Sequence, residues 1–125
     1  MPNALMLVFS SPTSGETDEE FNRWYTDRHI QDVANLPGVV AATRYRMEPG
    51  IDVVDGVAEV SQPYLAVYEL EAETRSELES FAEVLRSALA DGRADMHTAL
   101  DLAQLGGGFA LPISGRAVPE APAGP

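Results

Sequence analysis

The 125-residue chain contains neither cysteine nor lysine. The first absence excludes thiol nucleophiles, disulfides and thiolate metal sites. The second excludes Schiff-base chemistry and leaves arginine as the only permanent side-chain cation. Positive charge is scarce altogether, since eight basic residues face 20 acids for a net charge of −12. Nucleic acid and anionic membrane surfaces are therefore not expected as partners, because both select clustered cations. No apolar run approaches the roughly 20 residues of a membrane span. The opening MPNALMLVFSS has no basic start and too short an apolar stretch for a secretory signal. A cytoplasmic protein is the expectation.

An apolar content of 45% suits one ordinary globular domain. That domain is placed at residues 1–116, and the Pro/Ala/Gly-rich tail 117–125 is expected to be disordered. Ala4 to Phe9 reads as a short buried strand ended by Ser10-Ser11-Pro12. Thr17 or Asp18 can cap a helix that stops between Asn35 and Gly38. Val39 to Met47 is a second strand, with Val39, Ala41, Thr43, Tyr45 and Met47 on one face and Val40, Ala42, Arg44 and Arg46 on the other. Residues 48–63 make a long connection, expected to be a lid or a short extra hairpin. Tyr64 to Leu70 is a third strand. Thr74 and Glu77 form a T-x-x-E capping box before a helix that buries Leu78, Phe81, Leu85 and Leu89 and fades at Asp91-Gly92. Another helical turn or two is expected within Met96 to Leu105, and a fourth strand at Phe109 to Ile113.

This order, β-α-β-β-α-β, predicts an α+β ferredoxin-like protomer, a four-stranded antiparallel sheet with both helices on one face. The other face would stay uncovered, and a symmetric homodimer is the simplest cover.

The first helix is the most chemically loaded stretch. At 100° per residue Phe21, Trp24, Tyr25, Val33 and Leu36 share a broad face with Asn22, Arg28, His29 and Asp32. Glu19, Glu20, Arg23, Asp27 and Gln31 take the opposite side, and Ile30 is the one apolar residue out of place.

Trp24, Tyr25, His29 and Ile30 in W-Y-x-x-x-H-I, then L-P-G-V-V-A-A-T-R-Y-R from Leu36 to Arg46 and the strand YLAVYEL, carry a family likeness. Over residues 4–113 the chain resembles the EthD-like branch of the dimeric α+β barrel superfamily. The resemblance implies two sheets joined into a barrel across a homodimer, with a pocket between sheet and helices. It also implies a range of activities: lactone isomerisation, polyketide cyclisation, cofactor-free oxygenation and haem chemistry. The fold alone selects none of these. Relatives often carry proline after H-I; here Gln31 allows the helix to run on.

His29 is the leading catalytic candidate, because imidazole exchanges protons near neutral pH. Asp32, three residues on, is placed to fix its tautomer. Trp24 and Tyr25 can stack on a flat substrate, and Asn22 can orient a carbonyl. Tyr45 and Tyr68, mid-strand on faces expected to be buried, can donate to an enolate or phenolate oxygen. Arg44 and Arg46 can clamp a carboxylate or pair with the surplus acids. Each residue also has a plainer use in the core or at the helix seam. His97 is expected at the surface or a pocket rim. Gly106-Gly107-Gly108 lacks the Lys and Ser/Thr of a phosphate loop, and two unpaired histidines do not suggest a metal site.

The reading that follows is a small enzyme needing no cofactor and acting on a hydrophobic, oxygenated cyclic metabolite, a polyketide-like or aromatic-degradation intermediate. His29 would move a proton in an isomerisation, cyclisation or dehydration. Two alternatives stand beside it: a cofactor-free or haem-dependent monooxygenase, and a non-catalytic ligand-binding or accessory dimer.

Overall fold

A computed structural model of the protein describes residues 2–13, 15, 17–122 and 124. Apolar strands, buried on alternate residues in the third of them, build its sheet. Strands β1 (Ala4–Ser10), β2 (Val39–Arg46), β3 (Tyr64–Leu70) and β4 (Gly106–Ala110) are all antiparallel to their neighbours, in the order β2-β3-β1-β4. With two helical segments between the strands, the architecture is α+β and consistent with a small ferredoxin-like fold.

The first helical segment runs through α1 (Asp18–Trp24), a π-helical turn (Tyr25–His29) and α2 (Ile30–Ala34). Thr17 caps it, its hydroxyl accepting the Glu20 N–H at 3.2 Å, with three acids in the first turn. The second is α3 (Arg75–Asp91), capped by Thr74 through the Glu77 N–H and closed by Gly92 in the left-handed conformation at φ 84°. Phe21, Tyr25, Val33 and Leu36 from the first segment and Leu78, Phe81 and Ala88 from α3 share one core. From the sheet, Ala4 and Met6 of β1 and Tyr64, Ala66, Tyr68 and Leu70 of β3 enter the same core. Leu5, Leu7 and Phe9 alternate with the β1 residues, Leu65 and Val67 with those of β3; all five lie half-buried on the opposite face of the sheet.

Three local details differ from the sequence reading, each for a physical reason. In β2 the pairing shifts between Val39 and Ala41, so Val40 is the extra residue of a bulge. Val39 opposite Leu70 therefore faces the core with Ala42 and Arg44, while Ala41, Thr43 and Tyr45 take the open face. β4 begins at Gly106 rather than Phe109, because glycine lets it close on β1. At Gly107 (φ 127°) a Cβ would sit 1.9 Å from the Leu7 carbonyl oxygen. Residues 47–63 form no hairpin: beyond the Met47 N–H to Pro63 carbonyl bond of 2.8 Å they carry no strand or helix, and Ile51, Val53, Val54 and Val57 are exposed.

Within 92–105 the one helical turn is 3-10 (Leu102–Gln104), Leu100 bridges Pro12, and Ala94, Ala99 and Leu100 are buried. Residues 117–122 have no regular structure, and the expected disorder at Ala123 and Pro125 lies outside the described residues, as do Met1, Ser14 and Glu16. Among the described residues no helix is long and apolar enough to cross a membrane.

Candidate functional site

The π turn determines which side chains gather. The Ile30 N–H reaches back five residues to the Tyr25 carbonyl, inserting one residue into the helical repeat. Everything after it is rotated relative to a uniform α-helix. Ile30, out of place in the uniform projection, packs against the core, and His29 is drawn in to 7% exposure.

His29 lies between two aromatic rings, with centroids 4.9 Å from both Trp24 and Tyr25. Its Nδ1 is 2.6 Å from the main-chain oxygen of Asp95. A carbonyl oxygen only accepts, so Nδ1 carries the hydrogen and neutral His29 holds its lone pair on Nε2. Asp95, in the stretch after α3, is the hub of this region. Its carboxylate accepts the Trp24 indole N–H at 2.8 Å and sits 3.5 Å from Arg28. Its own N–H donates to Asp32 at 3.0 Å. The expected Asp32–His29 bond is thus replaced by an indirect one, with Asp32 placing Asp95 and Asp95 fixing the imidazole. Sequence reasoning passed over Asp95 because its segment has no periodicity to orient it.

Burial holds the His29 pKa below the ordinary histidine value, against the opposing pull of the Asp95 carbonyl and the Asp32 and Asp95 carboxylates. The unfolded chain protonates this group near pH 6.5, where the folded imidazole is still neutral. Its contribution is therefore complete above about 6.5 and is lost as pH falls toward the lower folded value. Lowering the pH from about 7.5 to about 5 should reduce the urea midpoint, and His29→Gln should shrink that reduction. Equal reductions in both chains would show that the burial of His29 has no such cost.

Tyr25 connects the histidine to the sheet. It is 1% exposed, and its hydroxyl meets that of equally buried Tyr68 at 3.4 Å. Burial pushes both phenols above their usual range. Tyr64 also faces the core and donates its hydroxyl to Asp18 at 2.6 Å. Tyr45 lies elsewhere: it is 51% exposed on the open face of the sheet, which corrects the expectation of a buried hydroxyl.

Arg44 projects from β2 under the helix. Its guanidinium carbon stands 4.2 Å from the Tyr25 ring centre, 5.4 Å from Tyr64 and 5.7 Å from Phe21. Nη1 donates to Thr26 Oγ1 at 2.9 Å and to the Asn22 carbonyl at 3.5 Å. Arg46 pairs with Glu48 at 2.8 Å, as surplus acids would suggest, but Arg44 has no carboxylate within ion-pair distance among the described residues. His97 is exposed, 5.6 Å from Trp24, and accepts the Ala99 N–H. Among the described residues no three His, Asp or Glu side chains converge as a metal set.

The helix thus brings Trp24, Tyr25, His29 and Asp32 together around Asp95, and Arg44 meets Tyr25 from the sheet side, bonded to the Asn22 carbonyl of α1. Tyr68 touches this group through Tyr25, whereas Tyr45 reaches only the rim beside Asn22 and Arg44. No family model, curated protein or solved structure matches the chain.

Proposed function

We propose that the protein is a small enzyme of the EthD-like, dimeric α+β barrel type that moves a proton on a hydrophobic, oxygenated cyclic metabolite, with His29 as the base. The observation that carries this reading is the state of His29. A buried imidazole kept neutral, with Nδ1–H tied to a main-chain carbonyl, presents Nε2 as a proton acceptor in aromatic surroundings. Asp32 and Asp95 hold the ring in that orientation. Tyr25, whose ring packs on His29, and Tyr68 beyond it have raised pKa values that keep them protonated as hydrogen-bond donors. The open face of the sheet supports pairing with a second copy, since Leu5, Leu7, Phe9, Leu65, Val67 and exposed Tyr45 form a continuous apolar surface there.

A second reading, a ligand-binding or accessory dimer, has one observation in its favour. A histidine packed between two rings and bonded to a main-chain carbonyl also has the surroundings of a purely structural residue.

Hydrogen exchange α to a carbonyl separates the two. A panel of cyclic ketones and lactones is incubated in D2O and followed by NMR. The wild-type protein should catalyse exchange on at least one member, and His29→Gln should lower that rate on the order of 100-fold or more. A folded His29→Gln protein that exchanges at the wild-type rate removes the histidine from the mechanism. No exchange across the panel favours the accessory dimer.

A further inference from the structure

Arg44 is the unusual cation of this molecule. Its Nη1 is used by Thr26 and Asn22, but Nε and Nη2 are buried and have no protein hydrogen-bond partner. These two N–H groups lie on one edge of the guanidinium and form the fork that receives a carboxylate through two parallel bonds. Leaving such donors buried and unmatched is costly, and more so for a charged group. The faces of the Tyr25, Tyr64 and Phe21 rings offset part of that through cation–π attraction, but a ring face supplies no in-plane acceptor for the fork. Burial also lowers the Arg44 pKa, with the surrounding tyrosines opposing it. In a chain with 20 acids, the absence of a carboxylate here among the described residues is not a matter of supply.

The same arginine lines a concavity of about 270 Å³ with Asn22, Thr26, Tyr45, Arg46 and Tyr64, at the β2 edge of the sheet. Its lining combines two arginines, two tyrosines and no acid. This open concavity sets the Arg44 guanidinium beside Tyr64 and Tyr45 and has room for a single small ring, while Arg46 is held by Glu48 and the Tyr64 hydroxyl by Asp18.

We propose that Arg44 is the receptor for a small aromatic carboxylate, which enters this concavity and draws the Nε/Nη2 edge of the guanidinium off the rings into a bidentate pair. Arg46 and the Tyr45 hydroxyl stand at the mouth, and the ring of the ligand takes the place against Tyr64 that the guanidinium gives up. The protein's net negative charge repels anions from the rest of its surface, so carboxylate binding reports on this local site. The assignment depends on Arg44 and its surroundings and holds whether or not His29 transfers a proton.

The test is a titration with benzoate and with its neutral counterpart benzamide, read by calorimetry and by saturation-transfer NMR. Benzoate should bind saturably, and benzamide at least about tenfold more weakly. Arg44→Met should abolish that preference while keeping the native circular dichroism. If Arg44→Met does not fold, Arg44→Lys makes the same comparison, because it keeps the charge and loses the fork; most of the preference should vanish in it too. Absence of saturable benzoate binding, equal binding of the two probes, or a preference that survives in the folded variant overturns the proposal. So does a fall in the molecular mass of the assembly in Arg44→Met, since that would give the fork to a carboxylate of a second copy. None of these outcomes depends on turnover, so a failed exchange assay with His29 leaves the test intact.

Discussion

Truncating Tyr25 to alanine is expected to cost about 3–5 kcal/mol of folding stability, the range for removing a large buried ring. Tyr25 is where the helix, the sheet and both charged clusters meet. Its ring centre lies 5.8 Å from Phe21, 5.5 Å from Trp24 and 4.9 Å from His29, and the Arg44 guanidinium stands over it at 4.2 Å. Alanine would leave a cavity and strip that guanidinium of its closest ring, so little of the loss can be recovered by relaxation. Tyr25→Phe is the informative partner. It keeps the ring and removes only the hydroxyl, whose contact with Tyr68 at 3.4 Å is long, so the cost should stay within about 1 kcal/mol. Urea denaturation of both variants checks this. Similar losses in the two would move the stability from the ring to the hydroxyl pair.

The second large effect is expected at Gly107, where alanine should cost about 3 kcal/mol or more through combined strain and overlap. At φ 127° an L side chain is strained by itself, and its Cβ would lie 1.9 Å from the Leu7 oxygen and 2.8 Å from the Leu7 carbonyl carbon. Both obstacles are backbone, so no rotamer change relieves them; β4 must move away from β1. Amide hydrogen exchange should show Gly107→Ala releasing the β1–β4 bonds first. The adjacent Gly108→Ala is the control, because a Cβ there meets nothing within 4 Å. Its stability should change by less than about 1 kcal/mol in either direction. Equal destabilisation at both positions would mean that the close approach to Leu7 does not set the cost.

Much of the frame is legible in the residues. Thr17 and Thr74 announce both helix starts, Gly92 and Gly38 their ends, an unbroken apolar run marks β1, and the shared face of Tyr64, Ala66, Tyr68 and Leu70 in β3 is the core face. What alternation cannot register is an insertion. The bulge at Val40 reverses the facing of Val39, and the π turn rotates everything from Ile30 onward. Both are single-residue shifts produced by tertiary packing, and neither needs a distinctive residue type. The site was legible to a similar depth. His29, Trp24 and Tyr25 come together because they are local to one helix. Asp95 is more than 60 positions from His29 and Asp32 and has no pattern of its own. The isolation of Arg44 is invisible for another reason: a chain rich in acids suggests a partner for every arginine, and only three-dimensional placement shows that this one is buried without a carboxylate among the described residues.

The π turn has a consequence for genealogy. Its helix fits one residue more into the same span than a regular one, and that residue is what turns Ile30 inward. A cousin that descended without it would align with this chain only through a one-position gap inside the helix. Deleting a residue between Tyr25 and His29 should therefore be milder than a deletion elsewhere in the helix, because it returns the i→i−5 bond to the regular i→i−4 repeat. Val33 and Leu36 would keep their places in the core.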